Sequence, residues 1–154
     1  MPAIAHAPGS RVWLLSTPRT SYALHLDDTD SPCHVHWGER LTLEQAEEIA
    51  TRRIPELNSF EGRPPAGEEL PVDGGARYGT PSLQVRYDDG TRAFEWRHVG
   101  HEANPEAGTL RLRFRDRHYP FEVTLHYRVH DDSDVIERWT SLRNTGRDAG
   151  STEN

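Results

Sequence analysis

The chain has 154 residues, 34% of them hydrophobic, with a mean hydropathy of -0.83 and a formal net charge of -7. That length suits one domain with a single core, and the acidic balance argues against nucleic acid or an anionic membrane as partner. No apolar run approaches the roughly 20 residues of a membrane span, residues 1–10 lack the basic start and apolar stretch of a signal peptide, and a single cysteine, Cys33, excludes an internal disulfide framework. A soluble, cytoplasmic, β-rich domain is expected.

Residues 1–10 carry no period and are expected to be disordered. Residues 11–16 (RVWLLS) read as a strand, and residues 20–26 (TSYALHL) as a second with Tyr22, Leu24 and Leu26 on one face. A turn over residues 27–32 leads to a short strand over residues 33–37, ended by Gly38. The period then changes: Leu41, Leu43, Ala46, Ile49 and Ala50 fall at helical spacing, and Thr42 with Gln45 forms a capping-box pattern. A helix is expected from about residue 43 to residue 53, stopped by Pro55. Residues 56–81 carry four prolines and five glycines and read as a long loop. Residues 82–87 and 91–99 are expected to pair as a hairpin across Asp88-Asp89-Gly90, followed by a polar loop over residues 101–108.

Residues 109–144 are the most ordered pattern of all. Leu110, Leu112 and Phe114 alternate with Arg111, Arg113 and Arg115; Phe121, Val123, Leu125, Tyr127 and Val129 alternate with polar residues. A third strand follows the turn cluster at residues 130–134, so the stretch reads as an antiparallel meander with one wet face. The count of about eight short strands and one helix predicts a mainly β fold, an antiparallel β-sandwich with a short helix inserted around residues 43–53.

Three pieces carry a resemblance: SYALHL with HVHWG in residues 21–38, EELPVDGGARYGTPSLQVRYDDGT in residues 68–91, and FEVTLHYRVHDDSDVIERWTSLRNTG in residues 121–146. Together they resemble the start of the N-terminal β-supersandwich domain of family 36 glycoside hydrolases, the α-galactosidases. The resemblance implies an incomplete supersandwich over residues 11–146, with residues 147–154 a disordered or truncated end. It implies a role as the non-catalytic part of an enzyme that hydrolyses terminal α-galactosides. The catalytic barrel is then the partner, bringing two aspartates that this chain does not supply. A barrel of that type needs about 250 residues, so the chain alone is expected to be inactive, with no catalytic residues and no cofactor of its own. A homo-oligomer and a galactoside reaching only the edge of the domain are further expectations of the resemblance. Where many members read Gly-x-Asp-Phe-Arg before the position of Pro81, this chain has Ala76-Arg77-Tyr78-Gly79. Asn58 is the nearest match to an aspartate that some oligomeric members lend to a neighbouring galactose site; it keeps hydrogen-bonding capacity without charge.

The remaining candidates each have a plainer reading. His34 and His36, two apart on one strand and hence on one face, have a spacing that metal sites use; without a third ligand at telling spacing, they read as residues of a half-wet strand, and no metal is expected. Cys33 reads as a small buried filler rather than a nucleophile. The row Arg111, Arg113 and Arg115 reads as an ion-pair face opposite Glu122 rather than a phosphate or acidic-polysaccharide site. Trp13, Trp37, Trp96 and Trp139 all lie in strand patterns, where core packing is the usual role; Trp37, beside a glycine and the long loop, is the one assigned to a binding edge. The substrate-contact candidates are therefore Trp37 and Asn58. The competing readings are a free-standing carbohydrate-binding module and, more remotely, a small metalloenzyme built on His34 and His36.

Overall fold

The computed structural model describes residues 3–52, 67–74 and 80–146. Among the described residues, nine strands form two antiparallel sheets, accompanied by one helix. The first sheet has the order β1 (Ile4–Ala7), β2 (Val12–Ser16), β3 (Thr20–Leu26), β4 (Pro32–Glu39), β5 (Gly67–Glu68). The second has the order β6 (Trp96–Asn104), β7 (Thr109–Asp116), β8 (Phe121–Val129), β9 (Ile136–Asn144). Helix α1 (Leu43–Thr51) joins β4 to the segment that leads to β5.

Alternation explains how the layers close. In β7, Leu110, Leu112 and Phe114 are fully buried while the arginines between them stay in water. In β8, Val123, Leu125, Tyr127 and Val129 do the same. These side chains meet Trp13, Leu15, Leu24 and Leu26 of the first sheet in one continuous core. The opposite face of the first sheet carries a smaller cluster, Ala7, Val12, Leu14 and Ala23, roofed by Ala46 of α1. Small side chains there let the helix sit close to the strands. The capping box expected at Thr42 and Gln45 is present: the Gln45 amide N–H donates to Thr42 Oγ1 at 3.2 Å and the Thr42 N–H to Gln45 Oε1 at 2.8 Å.

Polar links tie the two sheets at their turns. Asp134, between β8 and β9, accepts from Thr17 Oγ1 at 2.7 Å and from the Arg19 backbone N–H at 2.8 Å, both in the β2–β3 turn. Asp30, between β3 and β4, pairs with Arg11 at 2.7 Å and accepts from the His98 backbone N–H at 3.2 Å.

Three expectations are corrected. Residues 4–7 are not disordered: they form β1, paired to β2, with Ile4 and Ala7 buried. Two buried residues among four are too few for a period to show in the sequence, and the strand is held by its ladder. The Asp88-Asp89-Gly90 turn forms, with the Tyr87 N–H donating to Thr91 O at 2.9 Å, yet its arms do not become a hairpin. Leu83 packs against the inter-sheet core and makes a single parallel bridge to Val72, while Phe94 is buried and its N–H donates to Asp73 O. Each arm is drawn to the main core rather than to the other. Finally, the expected loop at residues 101–108 is half strand, since β6 runs to Asn104. Backbone pairing with β7 extends it past the last apolar side chain, and Gly108 makes the turn with φ +61.

Candidate functional site

Strand β4 decides where the candidate site lies. Its register against β3 shifts by one residue between Ala23 and Leu24, so that His36 opposes Ala23, His34 opposes Leu24 and Val35 is the extra residue. A bulge of this kind breaks the two-residue alternation. His34 and Trp37 therefore face the Tyr22 side, whereas His36 turns to the other face, its Nε2 2.9 Å from Glu39 O. The shared face expected of His34 and His36 does not exist. Among the described residues, no group of three or more His, Cys, Asp or Glu side chains is placed to hold a metal ion.

Trp37 is 51% exposed. Its ring meets Tyr22 edge-on at 5.3 Å, and Tyr22 leans on His34 at 5.0 Å. Beneath this rim, Glu69 is 2% exposed and accepts from Tyr22 Oη at 2.5 Å, from Tyr127 Oη at 2.8 Å and from Arg138 Nη1 at 2.8 Å. Burial, reinforced by the Glu69 carboxylate, pushes both tyrosine hydroxyls well above their ordinary range, so they stay protonated and act as donors. With both its oxygens engaged, Glu69 is a link between β3, β8 and β9 rather than an acid or base open to a ligand. The part of this rim most open to solvent is Trp37. Asn58 and residues 76–79 lie outside the described residues.

The other candidates are placed as follows. Cys33 is buried. Trp13 and Trp96 are core residues at 1% and 6% exposure, but Trp139 is 44% exposed and lies flat on His126, with ring centroids 5.0 Å apart and planes 4° from parallel. Its sequence neighbours two apart, Glu137 and Ser141, are polar, which is the signal that it faces outward. The arginine row is paired in part, Arg115 with Glu122 at 2.6 Å, while Arg111 at 3.4 Å and Arg113 at 3.9 Å share Glu102. The Glu69 cluster had no sequence signature, because Tyr22, Glu69 and the Tyr127–Arg138 pair of the β8–β9 hairpin come from well-separated parts of the chain.

Two stacked antiparallel sheets with one short helix and an aromatic rim define a β-sandwich. The family model for the glycosyl hydrolase family 36 N-terminal domain matches residues 30–152, and the chain belongs to that family. It is similar to the α-galactosidase AgaA of Geobacillus stearothermophilus, 23% identical over 172 residues that take in 94% of this chain and 23% of that protein. It is also similar to the bifunctional α-galactosidase/sucrose kinase AgaSK of Mediterraneibacter gnavus, 24% identical over 94% of this chain and 18% of that protein. Among solved structures, the galactosidase domain of AgaSK aligns with a TM-score of 0.76 at 22% identity, covering 94% of this chain and 23% of that one. The α-galactosidase AgaB of Geobacillus stearothermophilus aligns at 0.72 and 20% identity, again over 94% and 23%. The chain thus spans less than a quarter of the length of the curated relatives it matches.

Proposed function

We propose that this domain is the non-catalytic N-terminal wall of an α-galactosidase-like glycoside hydrolase. It packs on a catalytic barrel, shapes the entrance through which terminal α-galactosides reach that barrel, and contributes to contacts between subunits. Trp37 is the residue assigned to the entrance, with Asn58 as its companion. A cytoplasmic location belongs to the same reading and rests on sequence features alone.

The observation that carries this reading is the state of β9. It is an edge strand of the second sheet, and its Leu142 lies opposite Val123 on the core-facing side. Val123 is fully buried, yet Leu142 is 51% exposed. A core-face leucine left half in water marks a sandwich whose interior extends past the strands that cover it here. Covering it contributes up to about 1.5–3 kcal/mol, and an uncovered edge strand is a template for further pairing. A barrel and additional strands supplied by the rest of the enzyme meet both needs.

The test compares residues 1–154 with the full-length polypeptide. Release of p-nitrophenol from p-nitrophenyl α-galactoside is expected only from the full-length protein, and the amides of β9 are expected to exchange more slowly there. Hydrolysis by residues 1–154 alone, or equal protection of β9 in both, defeats the reading.

A further inference from the structure

The outward face of the β6–β9 sheet carries charge opposite to that of the chain as a whole. Directly opposed residues on neighbouring strands share a face, so the register lays out rows across the sheet. One row is Glu102, Arg111, His126 and Trp139; the next is Gly100, Arg113, Thr124 and Ser141; the third is Arg97, Arg115, Glu122 and Arg143. Five arginines stand against two glutamates, an excess of three positive charges on a chain of formal charge -7. Arg97 and Arg143 have no ion-pair partner among the described residues, and Arg111 and Arg113 share the single carboxylate of Glu102, at 3.4 Å and 3.9 Å. Guanidinium donors therefore remain open on this face.

The middle row sets Gly100, Thr124 and Ser141 beside Arg113. Arg113 Nη2 lies 3.5 Å from where a Cβ on Gly100 would stand, an ordinary contact distance, so the guanidinium lies against the strand. A cavity of about 230 Å³ opens between this row and the third, lined by Val99, Arg113, Phe114, Arg115, Glu122 and Thr124. Four strands at about 4.8 Å spacing make the face about 14 Å across. In the first row the Trp139 indole is fixed by its stack on His126, whose Nε2 is 2.9 Å from Ser141 Oγ.

We propose that this face binds an anionic oligosaccharide, with uronate carboxylates on Arg113 and its neighbouring arginines beside the cavity and a pyranose ring on Trp139. Charge complementarity selects an anion, and the paired-donor geometry of guanidinium suits a carboxylate. The Thr124 and Ser141 hydroxyls and the single exposed aromatic of these rows favour a sugar over a protein surface. Stable protein interfaces bury about 800 Å² per partner around a more apolar centre, whereas the exposed large apolar side chains of these rows and their bulge are Val99 and Trp139.

The test uses the full-length polypeptide and calorimetric titration with hexagalacturonate and with a neutral galactose hexamer. It reads binding and not hydrolysis, so it stands or falls apart from the α-galactosidase reading. Hexagalacturonate is expected to bind, to weaken at high salt, and to lose about tenfold or more in affinity on Arg113→Gln or Trp139→Ala. Trp139→Tyr, which keeps a ring on His126, is expected to restore most of the loss and so to separate a lost platform from a damaged fold. The neutral hexamer is expected to bind at least tenfold more weakly. Absence of hexagalacturonate binding, equal affinity for the neutral hexamer, or variants that bind like the parent would overturn the proposal. So would a change of oligomeric state in Arg113→Gln, measured by sedimentation, which would assign the face to a second copy of the chain.

Discussion

Glu69 is the residue on which the two sheets most directly depend. Its side chain is 1% exposed and joins Tyr22 of β3, Tyr127 of β8 and Arg138 of β9. Removing Glu69 leaves the Tyr22 and Tyr127 hydroxyls without their acceptor, while Arg138, 40% exposed, keeps contact with water, and a loss of that kind runs to about 1–3 kcal/mol. Glu69→Ala is therefore expected to lower unfolding free energy by about that amount in urea, and Glu69→Gln, which keeps an acceptor, by less. Equal stability of Glu69→Ala and the parent protein would show that the cluster is an ornament of the packing. At the same scale, Trp37 and Trp139 share a residue type with Trp13 and Trp96 but not an environment. Trp139 was expected in the core, although its neighbours two apart along β9, Glu137 and Ser141, are polar. Trp37 was singled out for its place beside a glycine and the long loop, and its side of the sheet depended on a bulge that residue types alone do not announce.

Among the elements, α1 is the one whose boundaries the residues state most openly. Thr42 and Gln45 exchange both capping bonds, and Ala46 supplies the fully buried contact. Thr42→Ala is expected to cost about 1 kcal/mol of stability, read from the denaturation midpoint, with little change in the slope. The meander β7–β8–β9 was equally plain, because two runs of strict alternation, in β7 and β8, are followed by a turn cluster and a third strand. β1, the second half of β6 and the segment over residues 82–95 were not plain. Their structure is decided by which backbone groups find a partner in a neighbouring strand, and side-chain pattern carries little of that information. The bulge at Val35 belongs with them: it turns His34 and His36 apart, and nothing in the spacing HVH distinguishes a bulged strand from a regular one.

At the scale of the whole molecule, the layer between the sheets is apolar along most of its length and histidine-lined at one edge. His6 of β1 stacks on Trp13 and meets His101 of β6 edge-on, each at 4.5 Å, and His98 lies close by. Burial first, and then repulsion from His101 and His98, lowers the pKa of His6 from 6.5. Burial likewise lowers that of His98, with Asp30 opposing and His101 and Arg11 assisting. A histidine depressed in the folded state takes up its proton more readily when unfolded, so folding stability rises with pH across the window between the two values. This stability is fully present above about pH 6.5 and is lost as pH falls through the lowered folded values. The melting temperature is expected to drop between pH 7 and pH 5, and His6→Gln is expected to shallow that drop. A melting temperature that holds steady or climbs on acidification across that range would show that the two rings titrate alike in both states.

The amino-acid sequence by itself determined the mainly β composition, the capped helix, the meander and, through three motif stretches, the family. All of these are written in local periods and neighbouring residue types. Only the tertiary structure decided which tryptophans face water, that Glu69 rather than any motif joins the sheets, and that one sheet face of an acidic chain is basic. Those features arise where segments far apart in sequence are brought side by side, and a pairing register across strands is information that no single strand contains.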